Sequence, residues 1–146
     1  PLGPTEAFAV APDVLVARPL SFMNRSGQAV RWLLEKIERP AEELLVVVDD
    51  VDLPLGRLRM RRSGGPGTHN GLRDLCDQLG EGFARLRIGV RGEGPVEDLA
   101  EYVLSDFVAD EEEVVAAAVR RAADAVEAAL RDGIDAAMQE YNRSSE

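Results

Sequence analysis

The hydrophobic positions of this chain change period several times, and each change marks an element. Residues 7–11 and 13–18 run apolar or alternate with polar positions, and Pro12-Asp13 between them reads as a turn, so two short strands are expected. Residues 27–38 carry Val30, Leu33, Leu34 and Ile37 at helical spacing. Pro40 stops that helix, because it lacks an amide hydrogen and clashes with the preceding turn. Residues 44–48 form a continuous, mostly β-branched run, the pattern of a strand buried on both faces of a parallel sheet. The aspartates after it read as a loop over 49–54. Leu58 and Met60 then alternate with Arg57, Arg59 and Arg61, which predicts a strand with one wet, positive face.

A glycine-rich loop over 64–71 feeds a helix over 72–79, and residues 86–90 read as another short strand. Residues 109–130 carry an apolar stripe through Val115, Ala118, Val119, Ala122, Val126 and Ala129. Glu111, Glu112 and Glu113 occupy the first turn of this helix, where the helix dipole favours negative charge. Gly133 ends it, and residues 134–141 make a shorter closing helix. Strands alternating with helices imply a three-layer α/β fold, with a mixed, mainly parallel, twisted sheet flanked by helices. Length and a 45% hydrophobic content fit one domain over 1–146. No apolar run approaches the ~20 residues that a membrane-spanning helix needs. The single cysteine, Cys76, shares a helix face with Leu72, Leu75 and Leu79 and reads as core.

Charge changes this picture. The net charge of −10 argues against a nucleic-acid partner, but its distribution does not. Residues 57–91 hold eight arginines against three acids, a local +5, whereas residues 1–56 carry −4 and residues 92–146 carry −11. A basic island in an acidic protein can hold phosphate at one place while the remainder repels it. The ordinary alternative is a solvated run of charge.

Three segments carry residues that a generic fold does not require together. Phe22-Met23-Asn24 precedes a helix, residues 49–54 (Asp-Asp-Val-Asp-Leu-Pro) follow the apolar strand, and residues 63–71 (Ser-Gly-Gly-Pro-Gly-Thr-His-Asn-Gly) open another helix. Loops at the carboxyl ends of strands are where α/β proteins place ligand sites, so Asn24, Asp49 and Asn70 are expected to converge on one cleft. Each segment also has a structural alternative. Asn24 can be a helix N-cap, Asn70-Gly71 a turn pair, and His69 a surface or cap residue. Asp49, Asp50 and Asp52 can be a magnesium site. The glycine loop matches neither nucleotide fingerprint, because no Gly-Lys-Ser/Thr is present and Asn70 stands where a dinucleotide site needs glycine.

In combination these segments resemble one family. Residues 19–30 (Pro-Leu-Ser-Phe-Met-Asn-Arg-Ser-Gly-Gln-Ala-Val) are similar to the K-P-x-T-F-M-N-x-S-G-x-A-V stretch of bacterial-type peptidyl-tRNA hydrolases. Residues 47–56 resemble V-H-D-D-L-D-L-P-x-G, residues 64–72 resemble G-G-x-G-G-H-N-G-L, and residues 85–90 resemble R-L-R-I-G-I. Tyr102-Val103-Leu104 fits the family's later Y-V-L. The resemblance implies a peptidyl-tRNA hydrolase-like fold and a cytoplasmic translation enzyme that cleaves the ester between a peptide and the tRNA 3′ end. It implies no cofactor or metal, no membrane, and a monomer. Asp49 would orient the catalytic histidine, Asn24 would hold the peptide end near the ester, and Asn70 would contact substrate or the reacting water. Met23, Gly67 and His69 would line the substrate-binding site. Arg61 and Arg87, with Arg59 beside them, would hold a tRNA phosphate.

The departures matter. The family's first strand, its G-N-P-G loop and the R-H-N segment bearing the general base are not among these residues, which open Pro-Leu-Gly-Pro. Val48 stands where the family has histidine, Thr68 replaces a glycine, and Pro66 stiffens the loop. His69 matches a family histidine that is not the base. The expectation is therefore an N-terminally incomplete domain that is inactive by itself, or a dimer if a missing strand has to be covered. The competing readings are a truncated relative that binds tRNA or peptidyl-tRNA without cleaving it, and a magnesium-dependent phosphoryl-transfer enzyme.

Overall fold

The structure, a computed structural model, describes residues 5–19, 26–67, 69–91 and 109–142. Contacts group the chain into two compact units, one formed by residues 1–44 and 63–83, the other by residues 45–62 and 84–146.

In the first unit, β1 (Thr5–Ala11) and β2 (Val14–Pro19) form an antiparallel pair around the Pro12-Asp13 turn, with Phe8 opposite Val16. The helix α1 (Ser26–Ile37) buries Leu33 and Leu34, two members of the predicted stripe, and packs against α2 (Asn70–Leu79). Gly27 permits this approach. A Cβ there would overlap the carbonyl oxygen of Asp74, and the Gly27 amide donates to Asp74 Oδ2 at 2.7 Å. The helix α1 ends before Pro40 with a Schellman pair: Glu38 N–H donates to Glu35 O at 3.3 Å and Arg39 N–H to Leu34 O at 3.0 Å. Glu38 takes the left-handed position that usually belongs to glycine, at φ 56°. Cys76 is half-buried beside the core residues Leu72 and Leu75, with Sγ 3.9 Å from Gly64 O.

The second unit is built on β3 (Leu45–Pro54), β4 (Leu58–Arg61) and β5 (Ala84–Arg91), in the order β3-β5-β4. β3 runs parallel to β5, and β4 runs antiparallel to it. The sheet is mixed and carries helices, in agreement with the predicted α/β class. Two expectations are corrected. The β3 strand is not buried on both faces: among the described strands it pairs only with β5, and Val47 is 49% exposed. The strand also does not stop at Val48. Pairing with β5 continues through Asp49 and Asp50, so backbone hydrogen bonding overrides the poor strand propensity of aspartate. After Asp50 the register shifts, and pairing resumes at Pro54 opposite Arg91. The strands come closest at Gly89, where a Cβ would overlap the carbonyl oxygen of Pro54.

Alternation sorts the sheet into two faces. Leu58, Met60, Leu86 and Ile88 join Leu45 in one core with Ala122, Ala125 and Ala128 of α3 (Ala109–Asp132), and with Ala137 of α4 (Ile134–Tyr141). Small residues on α3 let the long helix lie close to the strands. Gly133, at φ 95°, separates the two helices as expected. Just past α4, the Asn142 side chain pairs with the backbone of Met60 on β4: Met60 N–H donates to Oδ1, and Nδ2 donates to Met60 O at 2.8 Å. An amide side chain thus occupies the place of a further strand.

Candidate functional site

The sheet face away from the α3 and α4 core carries the basic island. Arg59 pairs with Arg87 across β4 and β5, and Arg61 pairs with Arg85. Arg61 and Arg87 are therefore diagonal neighbours on one face, roughly 7–8 Å apart in such a ladder. Arg59 and Arg61 are exposed, as the alternation predicted, while Arg85 is 1% exposed. Like charges directly opposite on a sheet are unfavourable unless something of opposite sign lies between or beyond them.

Such a group is present. Asp50 lies opposite Gly89, one step along the face from Arg87, with Oδ2 3.5 Å from Arg87 Nη1. Its other oxygen, Oδ1, accepts the Asp52 N–H at 2.8 Å. Asp49 is half-buried, lies opposite Ile88 and points to the other face. The strand's alternation thus separates Asp49 from Asp50, and Asp50 is engaged by an arginine. Among the described residues no group of three or more His, Cys, Asp or Glu side chains is disposed to hold a metal ion.

Gly67, His69 and Asn70 belong to the first unit, at the start of α2. Gly67 has φ 59°, a left-handed conformation that suits glycine. His69 is the N-cap: its Nδ1 accepts the Leu72 N–H at 2.9 Å, which leaves the proton of the neutral ring on Nε2. The cap reading of His69 is the one this geometry bears out, and the Asn70-Gly71 pair opens the helix instead of forming a turn. Asn70 is exposed at the first helical position. Met23 and Asn24 lie outside the described residues, as do Thr68 and the Tyr102-Val103-Leu104 segment. Sequence reasoning missed the Asp50–Arg87 pair. The run Asp-Asp-Val-Asp signals carboxylates, but only the parallel register shows which one reaches an arginine.

Comparison with known proteins gives a consistent result. The family model described as peptidyl-tRNA hydrolase matches residues 5–146. A protein from Chloroflexus aggregans named peptidyl-tRNA hydrolase is 50% identical over 133 residues, covering 88% of this chain and 70% of its own length. One of the same name from Roseiflexus sp. is 46% identical over 140 residues, covering 94% of this chain and 64% of its own length. Among solved structures, a peptidyl-tRNA hydrolase from Acinetobacter baumannii superposes with a TM-score of 0.82 at 32% identity, over 90% of this chain and 67% of that one. A peptidyl-tRNA hydrolase in complex with N-propanol gives 0.85 at 30% identity, over 97% of this chain and 72% of that one.

Proposed function

We propose that this chain, which belongs to the peptidyl-tRNA hydrolase family, acts on peptidyl-tRNA, with its arginine face holding the nucleic acid while its aspartate and asparagines serve ester cleavage. The observation that carries the reading is the ladder of Arg59 against Arg87 and Arg61 against Arg85. Of these, Arg59 and Arg61 are exposed and Arg87 is half-buried on the same face, and the planar guanidinium fork matches phosphate oxygens.

In this reading Arg61 and Arg87, assisted by Arg59, grip a tRNA phosphate. Asn24 and Asn70 donate amide hydrogens to the peptide end and to the oxygen that gains charge as water attacks the ester carbonyl. Asp49 orients the imidazole of the family's R-H-N segment, which is not among these residues and which would take the water's proton, and Met23, Gly67 and His69 flank the peptide. His69 is not that imidazole, because its Nδ1 is committed to the Leu72 amide. No step requires a metal or an organic cofactor.

The test is a salt titration of tRNA binding by the whole chain and by Arg61→Ala, Arg87→Ala and Arg120→Ala. Each neutralised phosphate releases counterions, so two direct contacts predict a log–log slope near ~1–2. Arg61→Ala and Arg87→Ala should weaken binding and flatten the slope with little dependence on tRNA identity. Arg120, exposed on α3, is the control. Equal slopes in all four proteins would reduce the island to a solvated charge run.

A further inference from the structure

We propose that Asp50 is a positioning residue for phosphate recognition, holding the Arg87 guanidinium in the orientation that meets the anion. The inference rests on the reading of Arg87 as a phosphate ligand given above. It starts from the surroundings of the pair. The side chains of Asp50 and Arg87 are 13% and 14% exposed, in that order, so the ion pair is largely withdrawn from water, unlike Arg31–Glu35 or Arg62–Asp135 on the surface. Such a pair is screened less by salt and orients its partners more strongly than an exposed one.

Asp50 is itself fixed. Its Oδ1 accepts the Asp52 N–H, a local turn that sets the carboxylate plane and leaves Oδ2 toward Arg87. Just beyond it, β3 shifts register and passes over Gly89 at a distance that no side chain at 89 would allow. The carboxylate therefore sits on a stretch of strand anchored on both sides. Arg87 meets repulsion from Arg59 directly opposite on β4, and attraction from Asp50 on the β3 side. The contact with Asp50 favours the guanidinium orientation that lies toward β3. With the fork oriented before the ligand arrives, less rotamer entropy is lost on binding.

Asp50→Asn tests the proposal, because it keeps the acceptor for the Asp52 amide and removes only the charge. The probe is deacylated tRNA, titrated against the whole chain, Asp50→Asn, Arg87→Ala and the double variant. Thermal melting confirms that each protein is folded. Asp50→Asn is expected to weaken tRNA binding by about three- to tenfold. It should have no further effect in the Arg87→Ala background, where the residue it positions is gone. If Asp50→Asn binds as well as the parent or more tightly while Arg87→Ala weakens binding, Asp50 merely offsets charge and the proposal falls. A loss that persists undiminished in the double variant also overturns it. If Arg87→Ala itself leaves affinity and salt slope unchanged, the reading of the arginine face is what has failed.

Discussion

Replacing Asn142 with alanine tests how far one side chain can substitute for a strand. The Asn142 amide satisfies both the N–H and the C=O of Met60, a residue with no exposed surface. Each hydrogen bond contributes a net ~0.5–1.5 kcal/mol, and a buried partner left unsatisfied costs ~1–3 kcal/mol. Water can reach part of the β4 edge after truncation, so the loss should fall near ~2–3 kcal/mol. At roughly 2–4 °C per kcal/mol for a chain of about this size, the melting temperature should drop by about 5–10 °C. Urea unfolding should show a lower midpoint with an unchanged slope, and hydrogen exchange should show lost protection at the Met60 amide. Asn142→Asp keeps the acceptor but sets an oxygen against Met60 O, so it should also destabilise. A change within ~0.5 kcal/mol, with the Met60 amide still protected, would refute the reasoning.

Glu38→Gly should stabilise the chain by about 0.5–1 kcal/mol, because glycine takes the left-handed φ of 56° without steric cost; a lower urea midpoint would contradict this. Tyr141 should titrate above 10.0, since partial burial raises its pKa first, Glu140 and Asp124 raise it further, and Arg131 and Arg121 only oppose the shift. Its folded pKa lies above the unfolded one, so its contribution to stability is complete below pH ~10 and is lost as pH rises through the raised value. Phenolate absorbance in a Tyr102→Phe background, with and without Asp124→Asn, checks both statements. Titration at or below the ordinary tyrosine value would count against them.

Much of this structure is legible in periodicity. Alternation over 57–61 identified β4 together with its wet arginine face, and helical spacing located the four α-helices among the described residues, including the break at Gly133. These patterns are local, and one face of each element is buried. What the pattern could not supply is pairing. Nothing in residues 44–48 says that β3 has β5 as its only neighbour among the described strands, so Val47 was expected to be covered. Strand propensity ended β3 too early, because three aspartates look like a loop when the partner strand is unknown. Arg85 resembles the arginines around it in sequence, yet it is buried while Arg87 on the same strand is only half-buried. The arginines of the candidate site could be picked out by charge and motif. Their neighbours Asp50 and Asn142 could not, because both act through contacts that span 37 and 82 residues of chain.

The two-faced sheet of the second unit bears on how an encounter begins. The helices on one side carry seven acids against three arginines over residues 112–141, while the other side presents Arg59 and Arg61 with the half-buried Arg87 beside them. Opposite charge on the two sides of a thin layer makes a dipole directed across the sheet. If the arginine face holds nucleic acid as proposed, this second unit would repel a polyanion on its helix side and attract it on its arginine side, which favours the productive orientation before surfaces touch. Productive collisions then become more frequent at low ionic strength and rarer as salt shortens the reach of the field. Under the proposed reading, the direction of the local field offsets part of the repulsion between the chain's net charge of −10 and a nucleic acid.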